Sequence, residues 1–514
     1  MGKIERIYDK EKILPEDRNI TQFLNDLGQQ VTGELRTDTY NRMLYSTDAS
    51  IYQVMPHGVL IPKTVEDIHA AVELANKYKV PILPRTGGSS LAGQAVNEAL
   101  IIDVTRHLNN VLEVNPEEQW VRVQPGLVLD ELNLHLKSTG LQFGPDPASA
   151  NRAGMGGIVA NNSTGTHSVI YGMAADHVLE TGVILSDGTQ THFKALSADE
   201  LRQHQQKPGL EGTLYRQIAE MAKNDADIIR AGTPRHWRRC GGYGLDRFVD
   251  EGIAYQWPKD PRFNLAKIIS GSEGTLAVMT EIKLNLVPTP TKTAWAIIHF
   301  DDLYPALDAT QIILHKEPAA IELLDKLSMS LCRTQPTYAR MLSTFTEGEP
   351  EAVLLTEFYG ESEAELTAKL DDLERYLKQE NVGYSTIIRL FDPALMSNVK
   401  EVRKAGLGFL MSKRGDHKPI PFIEDSAVPI EHLADYVTQI QQFCADLDTD
   451  VAYYAHASGG CLHIRPFINS KATSGVQKLS QISSFAAELL GDYDGVLSSE
   501  HGDGRVRSGL NERF

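Results

Sequence analysis

The sequence predicts an α+β fold of more than one domain, and three observations carry that prediction. Strand and helix signatures alternate between Gly58 and Asp103, and alternate again after Thr293. Pro288-Thr289-Pro290 punctuates the chain between those stretches and marks a domain boundary. At 514 residues the chain is also too long for a single hydrophobic core.

Residues 1–40 read as a helical lead-in. Val59-Leu60-Ile61-Pro62 is a short strand, followed by a helix with Thr64 as N-cap and Val65, Ile68, Val72 and Ala75 as its apolar stripe. The strand Val80–Leu83 leads through a glycine-rich loop to the strand Ala99–Asp103. Trp120–Gln124 is a strand, and Leu129, Leu132 and Leu136 share one face of a helix that Gly140 is placed to end. Val178–Leu185 is a strand turned by Asp187-Gly188, and Gly274–Pro288 is a long strand with apolar residues at two-residue spacing. Beyond the proline punctuation come a strand Thr293–Phe300, a helix Leu303–Lys316, a strand Glu351–Tyr359 and a helix Glu363–Glu380. That succession suits antiparallel sheet covered by helices. His432–Leu447 as helix and Val451–Tyr454 as strand lead into a histidine-rich segment.

Composition excludes several classes. With 42% hydrophobic and 23% charged residues the chain is neither disordered, collagenous nor coiled coil. Its 50 Lys and Arg against 68 Asp and Glu, a formal charge of -18, disfavour nucleic acid and anionic lipid as partners. Arg235, Arg238 and Arg239 beside Gly241-Gly242-Tyr243 form one local basic patch, read as an exposed loop rather than an anion site. Four widely spaced cysteines, Cys240, Cys332, Cys444 and Cys461, argue against a disulfide framework or an all-cysteine metal site within this chain. No apolar run reaches the length of a membrane span, and the N-terminus resembles neither a secretory signal nor a transit peptide. The expectation is a cytoplasmic protein, with peripheral association at the inner membrane face left open.

Chemistry concentrates in two kinds of motif. Pro84-Arg85-Thr86-Gly87-Gly88-Ser89-Ser90-Leu91-Ala92-Gly93-Gln94 lies between strands, where glycines bring backbone N–H groups close to an anion and serines add hydroxyls. It is neither GxGxxG nor a P-loop. Gly144-Pro145-Asp146-Pro147-Ala148-Ser149, then Gly154 to Gly165, and Ser270-Gly271-Ser272-Glu273-Gly274-Thr275 complete the set. Three separated loops of this kind are poorly explained as chance turns. In the second motif, His456 and His463 lie seven apart across Gly459-Gly460, and Glu500-His501 follows near the end. Two histidines and a carboxylate suit a divalent metal with open positions. Hydrogen-bonded strand histidines beside an unrelated charged turn remain the alternative.

The order PRTGGSSLAG, GPDPAS, GGIVANNSTG, YG and SGSEGTLAVMTEI resembles the FAD-binding domain of the vanillyl-alcohol-oxidase and p-cresol-methylhydroxylase superfamily. Within it the chain is similar to FAD-linked D-2-hydroxy-acid dehydrogenases: D-lactate dehydrogenases, the glycolate oxidase flavoprotein subunit and D-2-hydroxyglutarate dehydrogenases. It looks most like the flavoprotein half of bacterial FAD/iron–sulfur fusions. The resemblance implies an FAD-binding domain over 41–288, a substrate or cap domain of antiparallel sheet over 289–470, and a C-terminal segment over 471–514 carrying Glu500-His501-Gly502-Asp503-Gly504. That last segment looks truncated relative to the family pattern.

The resemblance further implies that Arg85, Thr86, Gly87, Gly88, Ser89 and Ser90 cradle the FAD pyrophosphate. Pro145, Ser149, Gly156, Gly157, Ser163 and Gly165 would line the flavin and ribityl chain, with Glu273, Gly274 and Val278 against the adenine side. Some relatives attach flavin through a histidine where this chain has Ser89, so non-covalent FAD is expected. Carried over, His456, His463 and Glu500 are ligands of Zn or Mn, and His501 is the base. Ala457-Ser458-Gly459-Gly460-Cys461 departs from the family's Asp-Gly-Asn at this turn, which puts one substrate contact in doubt. Arg403 is similar to the family's carboxylate-pairing arginine, and Lys418, in Lys418-Pro419-Ile420-Pro421-Phe422, divides evenly between a substrate role and a surface role.

The expected activity is FAD-dependent oxidation of a D-2-hydroxy acid (D-2-hydroxyglutarate first, then D-lactate, then glycolate) to the 2-oxo acid. Electrons would pass to a quinone, cytochrome, electron-transfer flavoprotein or iron–sulfur carrier; a homo-oligomer is left open. The alternatives are a non-redox FAD enzyme of the alkyl-dihydroxyacetone-phosphate synthase type, and an inactive fragment of a longer FAD/iron–sulfur protein.

Overall fold

The computed structural model describes residues 15–249 and 260–513. The first sheet has four strands in the order Glu34–Arg36, Gly58–Ile61, Leu100–Asp103, Ile82–Arg85. Its last three strands are parallel, as the strand–helix–strand alternation requires. The intervening helix, Val65–Tyr78, begins at Thr64 and buries Ile68, Val72 and Ala75. The Asp67 carboxylate accepts the N–H of Lys63 at 2.8 Å and of Thr32 at 2.7 Å, tying the helix start to the preceding chain. Residues 1–14 of the lead-in lie outside the described residues, and the remainder is only partly helical. After the helix Pro15–Gln30, Glu34–Arg36 pairs antiparallel with Gly58–Ile61. Three residues carry too little periodicity to reveal a strand.

The second sheet is antiparallel, in the order Val111–Asn115, Trp120–Val123, Ala277–Asn285, Val178–Leu185, Gln190–Phe193. Its central strand, Ala277–Asn285, starts later than the apolar alternation suggests. Glu273 and Gly274, at φ +51° and +76°, form a left-handed turn before it. Leu129, Leu132 and Leu136 pack beneath this sheet with Val121, Ile282 and Leu284.

The third sheet is built from the second half of the chain. Its order is Thr386–Leu390, Lys292–Phe300, Ala352–Gly360, Ala320–Asp325, Val451–His456, Cys461–Ile468, Lys418–Pro419, with Ser426–Ala427 also beside Cys461–Ile468. Ala294, Ala296, Ile298 and Phe300 face a core made with the helices Leu303–Leu314, Glu363–Gln379, Leu433–Asp446 and Thr473–Asp492. Trp295 and Ile297 face the other way, onto Met329, Cys332, Val399 and Val402. Helices on both faces explain why these strands read as unbroken apolar runs. The helix Pro393–Met411 belongs to the second layer; Asp392 caps it by accepting the Ala394 N–H at 2.8 Å, and Pro393 opens it.

The two halves are joined by buried charge. His167 of the first half bonds Asp146 through Nδ1 at 2.6 Å and Glu357 of the third sheet through Nε2 at 2.8 Å. Burial alone would lower the His167 pKa, but the Asp146 and Glu357 carboxylates raise it to about 10.

Candidate functional site

The hairpin Val451–His456 to Cys461–Ile468 pairs His456 with Cys461 and Tyr454 with His463. Residues two apart on a strand share a face, so both imidazoles project from the same side of the sheet. The turn between them is a short 3-10 segment closed by Gly460 at φ +64°. Glu500 comes from a loop beyond the long helix Thr473–Asp492. Its Oε1 lies 3.2 Å from His463 Nε2, and its Oε2 3.4 Å from His456 Nε2. One ring nitrogen from each histidine and one Glu500 oxygen fall within 4.8 Å of one another. His501 Nε2 is 3.1 Å from Glu500 Oε1.

Asp425 holds that loop in place. Its carboxylate accepts the N–H of Glu500 at 2.8 Å and of His501 at 2.9 Å, and the hydroxyls of Ser499 at 2.7 Å and Ser498 at 2.9 Å. Asp425 itself sits at φ +82°, a conformation an L-residue adopts only when its surroundings impose it. From the first half of the chain, Asn161 donates to the Glu500 carbonyl at 2.6 Å and Gln94 to the His501 carbonyl at 2.6 Å. Gly502, at φ +79°, leaves room for Gln94, Glu273 and Asn161; a Cβ there would sit 2.3 Å from Gln94 Nε2.

Each buried carboxylate around the histidines meets an arginine. Glu322 pairs with Arg403, Glu424 with Arg465, Glu500 with Arg238 at 2.6 Å, and Asp425 faces Arg507 at 3.9 Å. Glu322 also bonds His456 Nδ1 at 2.8 Å. That bond directs the Nδ1 proton to Glu322 and leaves the Nε2 lone pair for a metal. Burial alone would raise the Glu500 pKa, yet His456 and Arg238 hold it well below the carboxylate range. Burial works against protonating His501, while Asp425 and Glu500 outweigh it and raise its pKa. His463 Nδ1 and His501 Nδ1 are buried and face Glu424 Oε1 at 3.4 and 3.9 Å, without a hydrogen-bond partner among the described residues. The Nε2 atoms of His456 and His463, both turned toward the ionised Glu500 carboxylate, make with it a donor set that fits Zn or Mn.

The histidines line a cleft that runs between the halves of the chain. Arg85, Thr86, Gly88, Ser89 and Ser90 line the same cleft, with Ser149, Gly156, Gly157 and Ser163. Glu273, Gly274 and Val278 line it too, as do Arg403, His456, His463, Glu500 and His501. Among the described residues, no protein group accepts from the N–H groups of Gly87 to Ser90. A loop of free donors in such a cleft fits the pyrophosphate of FAD.

The remaining expected residues are placed otherwise. Gly87 packs against the Arg152 carbonyl, and Gly165 against Asp146, so neither forms the cleft wall; their missing side chains allow two loops to touch. Pro145 is buried outside the cleft lining. Lys418 is exposed, its ammonium bound to the Lys413 carbonyl at 2.5 Å, because its short strand lies at the edge of the third sheet. It does not join the site, whereas Lys404 lines the cleft beside Arg403. Arg85 donates to the carbonyls of Ala95 at 2.8 Å and Thr47 at 2.9 Å, shaping the loop from within. The Glu273 carboxylate accepts the Asp503 N–H at 2.7 Å and so clamps the terminal loop.

Two contributors went unread. Arg238, expected in an exposed loop, is 1% exposed and lies against Glu500. Glu322 sits alone in Ala320-Ile321-Glu322-Leu323-Leu324, and a lone acid in an apolar strand is itself a signal, since burial demands a partner.

Comparison with known proteins supplies the family and the fold. Residues 56–194 match the family described as FAD binding domain, and residues 289–514 match FAD linked oxidases, C-terminal domain. The D-2-hydroxyglutarate dehydrogenases of Pseudomonas putida and Haemophilus influenzae are each 32% identical, over 96% and 97% of this chain and 49% of each relative. The chain thus spans about half the length of those relatives. The glycolate oxidase subunit GlcD of Bacillus subtilis is 25% identical over 95% of this chain and 90% of its own length. The solved structure of p-cresol methylhydroxylase with substrate bound shares the fold, with a TM-score of 0.64 at 11% identity, covering 96% of this chain and 90% of that one.

Proposed function

The chain belongs to the FAD linked oxidases, and from that premise we propose that it oxidises a D-2-hydroxy acid to the 2-oxo acid, with D-2-hydroxyglutarate as the first candidate. The observation that carries the proposal is the convergence of His456, His463, Glu500 and His501 in the same cleft that the glycine-rich loop of free N–H donors lines.

FAD in the cleft would supply the hydride acceptor. A divalent ion on His456, His463 and Glu500 would supply a Lewis acid that lowers the hydroxyl pKa of the substrate. The protein's own part follows from its side chains. His501 Nε2 takes the hydroxyl proton, and its Nδ1, 3.9 Å from Glu424 Oε1, directs the resulting positive charge toward that carboxylate. Arg403 offers a guanidinium to the C1 carboxylate, oriented by its pair with Glu322. Lys404, next to Arg403 on the cleft wall, suits the distal carboxylate of a dicarboxylate. Relatives of 30–32% identity named D-2-hydroxyglutarate dehydrogenase support that choice. The electrons then pass to a carrier other than NAD, a quinone, cytochrome, electron-transfer flavoprotein or iron–sulfur protein.

The test is an anaerobic titration of the flavin-loaded, metal-loaded protein with D- and L-2-hydroxyglutarate, followed by visible absorbance. Bleaching by the D enantiomer alone supports the proposal. A bound flavin that no D-2-hydroxy acid bleaches rejects it.

A further inference from the structure

We propose that Arg238 is a positioning residue that holds Glu500 Oε2 away from the metal position, so that the carboxylate ligates through Oε1 alone. The inference rests on the reading that His456, His463 and Glu500 hold a divalent ion, and deepens it.

The two Glu500 oxygens have different surroundings. Oε2 accepts from Arg238 Nη2 at 2.6 Å and from the Thr164 hydroxyl at 3.2 Å, although it is also 3.4 Å from His456 Nε2. The neighbours of Oε1 are imidazole nitrogens, His463 Nε2 at 3.2 Å and His501 Nε2 at 3.1 Å. A charge-assisted bond of that length outcompetes a swing of the carboxylate, which would have to leave a buried guanidinium unpaired. Arg238 is itself fixed, since Nη1 donates to the Gly165 carbonyl at 3.0 Å.

The histidine turn is shaped around this arginine. A Cβ on Gly459 would lie 3.0 Å from both Cδ and Nη1 of Arg238, so the turn leaves the space the guanidinium occupies. Holding one carboxylate oxygen back keeps a coordination position open. A 2-hydroxy acid needs two, one for its hydroxyl and one for its carboxylate oxygen.

The experiment uses the flavin-loaded protein and its Arg238→Met and Arg238→Lys variants. Zinc affinity is read by competition with a chromophoric chelator, and coordination number by the visible bands of cobalt(II) in the same site. In Arg238→Met the freed second oxygen and the loss of the repulsion from a buried cation should tighten zinc binding about 10-fold. The cobalt bands should weaken as coordination number rises, and kcat should fall about 100-fold. Arg238→Lys should restore most of both. Zinc affinity that falls or stays constant with an unchanged cobalt spectrum overturns the proposal. If Arg238→Met does not retain flavin, Thr164→Val removes the other donor to Oε2 and should tighten zinc about 3-fold; no tightening overturns it equally. A wild-type protein that takes up no metal rejects the underlying metal reading, and is recognised by the absence of any cobalt spectrum.

Discussion

His167 and Glu357 meet at 2.8 Å across the boundary between the halves of the chain, inside a cluster that also holds Asp146. The His167 pKa, raised from 6.5 to about 10, makes this contact a pH-dependent clasp. Because the folded value exceeds the unfolded one, the stabilisation is complete below about pH 6.5 and is lost as pH rises through about 10. Glu357→Gln should cost roughly 3 kcal/mol near pH 6. Denaturant melts of wild type and variant at pH 6 and pH 9.5 should converge at the higher pH; a gap of constant size would contradict the clasp.

Asp425 organises the loop on which Glu500 and His501 stand. Asp425→Gly relieves the backbone at φ +82° but removes the four-fold acceptor. Metal content should drop and metal affinity fall about 30-fold, while flavin stays bound. Elemental analysis beside the 450 nm flavin absorbance distinguishes the two; equal loss of both would mean general unfolding.

The cations divide by position. Lys404→Ala should raise KM for D-2-hydroxyglutarate about 10-fold and leave D-lactate oxidation unchanged, the effect of one lost charge-assisted contact. Lys418→Ala should change neither, since its ammonium faces the Lys413 carbonyl. Arg403→Lys keeps a charge beside Glu322 but loses the planar fork, and should lower kcat/KM on every hydroxy acid. Steady-state kinetics on the two substrates decide; a lactate defect in Lys404→Ala would sink the assignment.

Gly502→Ala places a methyl 2.3 Å from Gln94 Nε2 at φ +79°. The loop must lift from Glu273 and Asn161, so activity should fall at least 10-fold through misplacement of Glu500 and His501. Measured kcat with flavin occupancy intact is the check, and normal kcat would show that the loop tolerates the shift.

Much of this architecture is legible in residue order because the signals are local. Thr64, the stripe of Val65–Tyr78 and the alternation in Lys292–Phe300 each depend on neighbours within a turn or two. The shared face of His456 and His463 is legible for the same reason, since the two lie across a hairpin. What escaped depends on distant partners. Arg238 looks like a solvated loop residue until Glu500, 262 positions away, is brought to it. Lys418 follows a familiar motif, but the sheet edge on which it falls turns it outward. Pro145, Gly87 and Gly165 shape the loops rather than the cleft wall, a distinction that depends on which loop packs behind which.

Glu500 is fastened to the first half of the chain by Asn161, Thr164 and Arg238, while His456 and His463 belong to the hairpin of the second. An ion held by all three would be a rivet through the seam. Asn161 and Thr164 also wall the cleft that suits FAD, so flavin that orders them would raise affinity for the ion. By reciprocity the ion would raise affinity for flavin by the same factor. Chelation would then loosen the grip on flavin, and stripping flavin would leak metal: two cofactors exchanged as one.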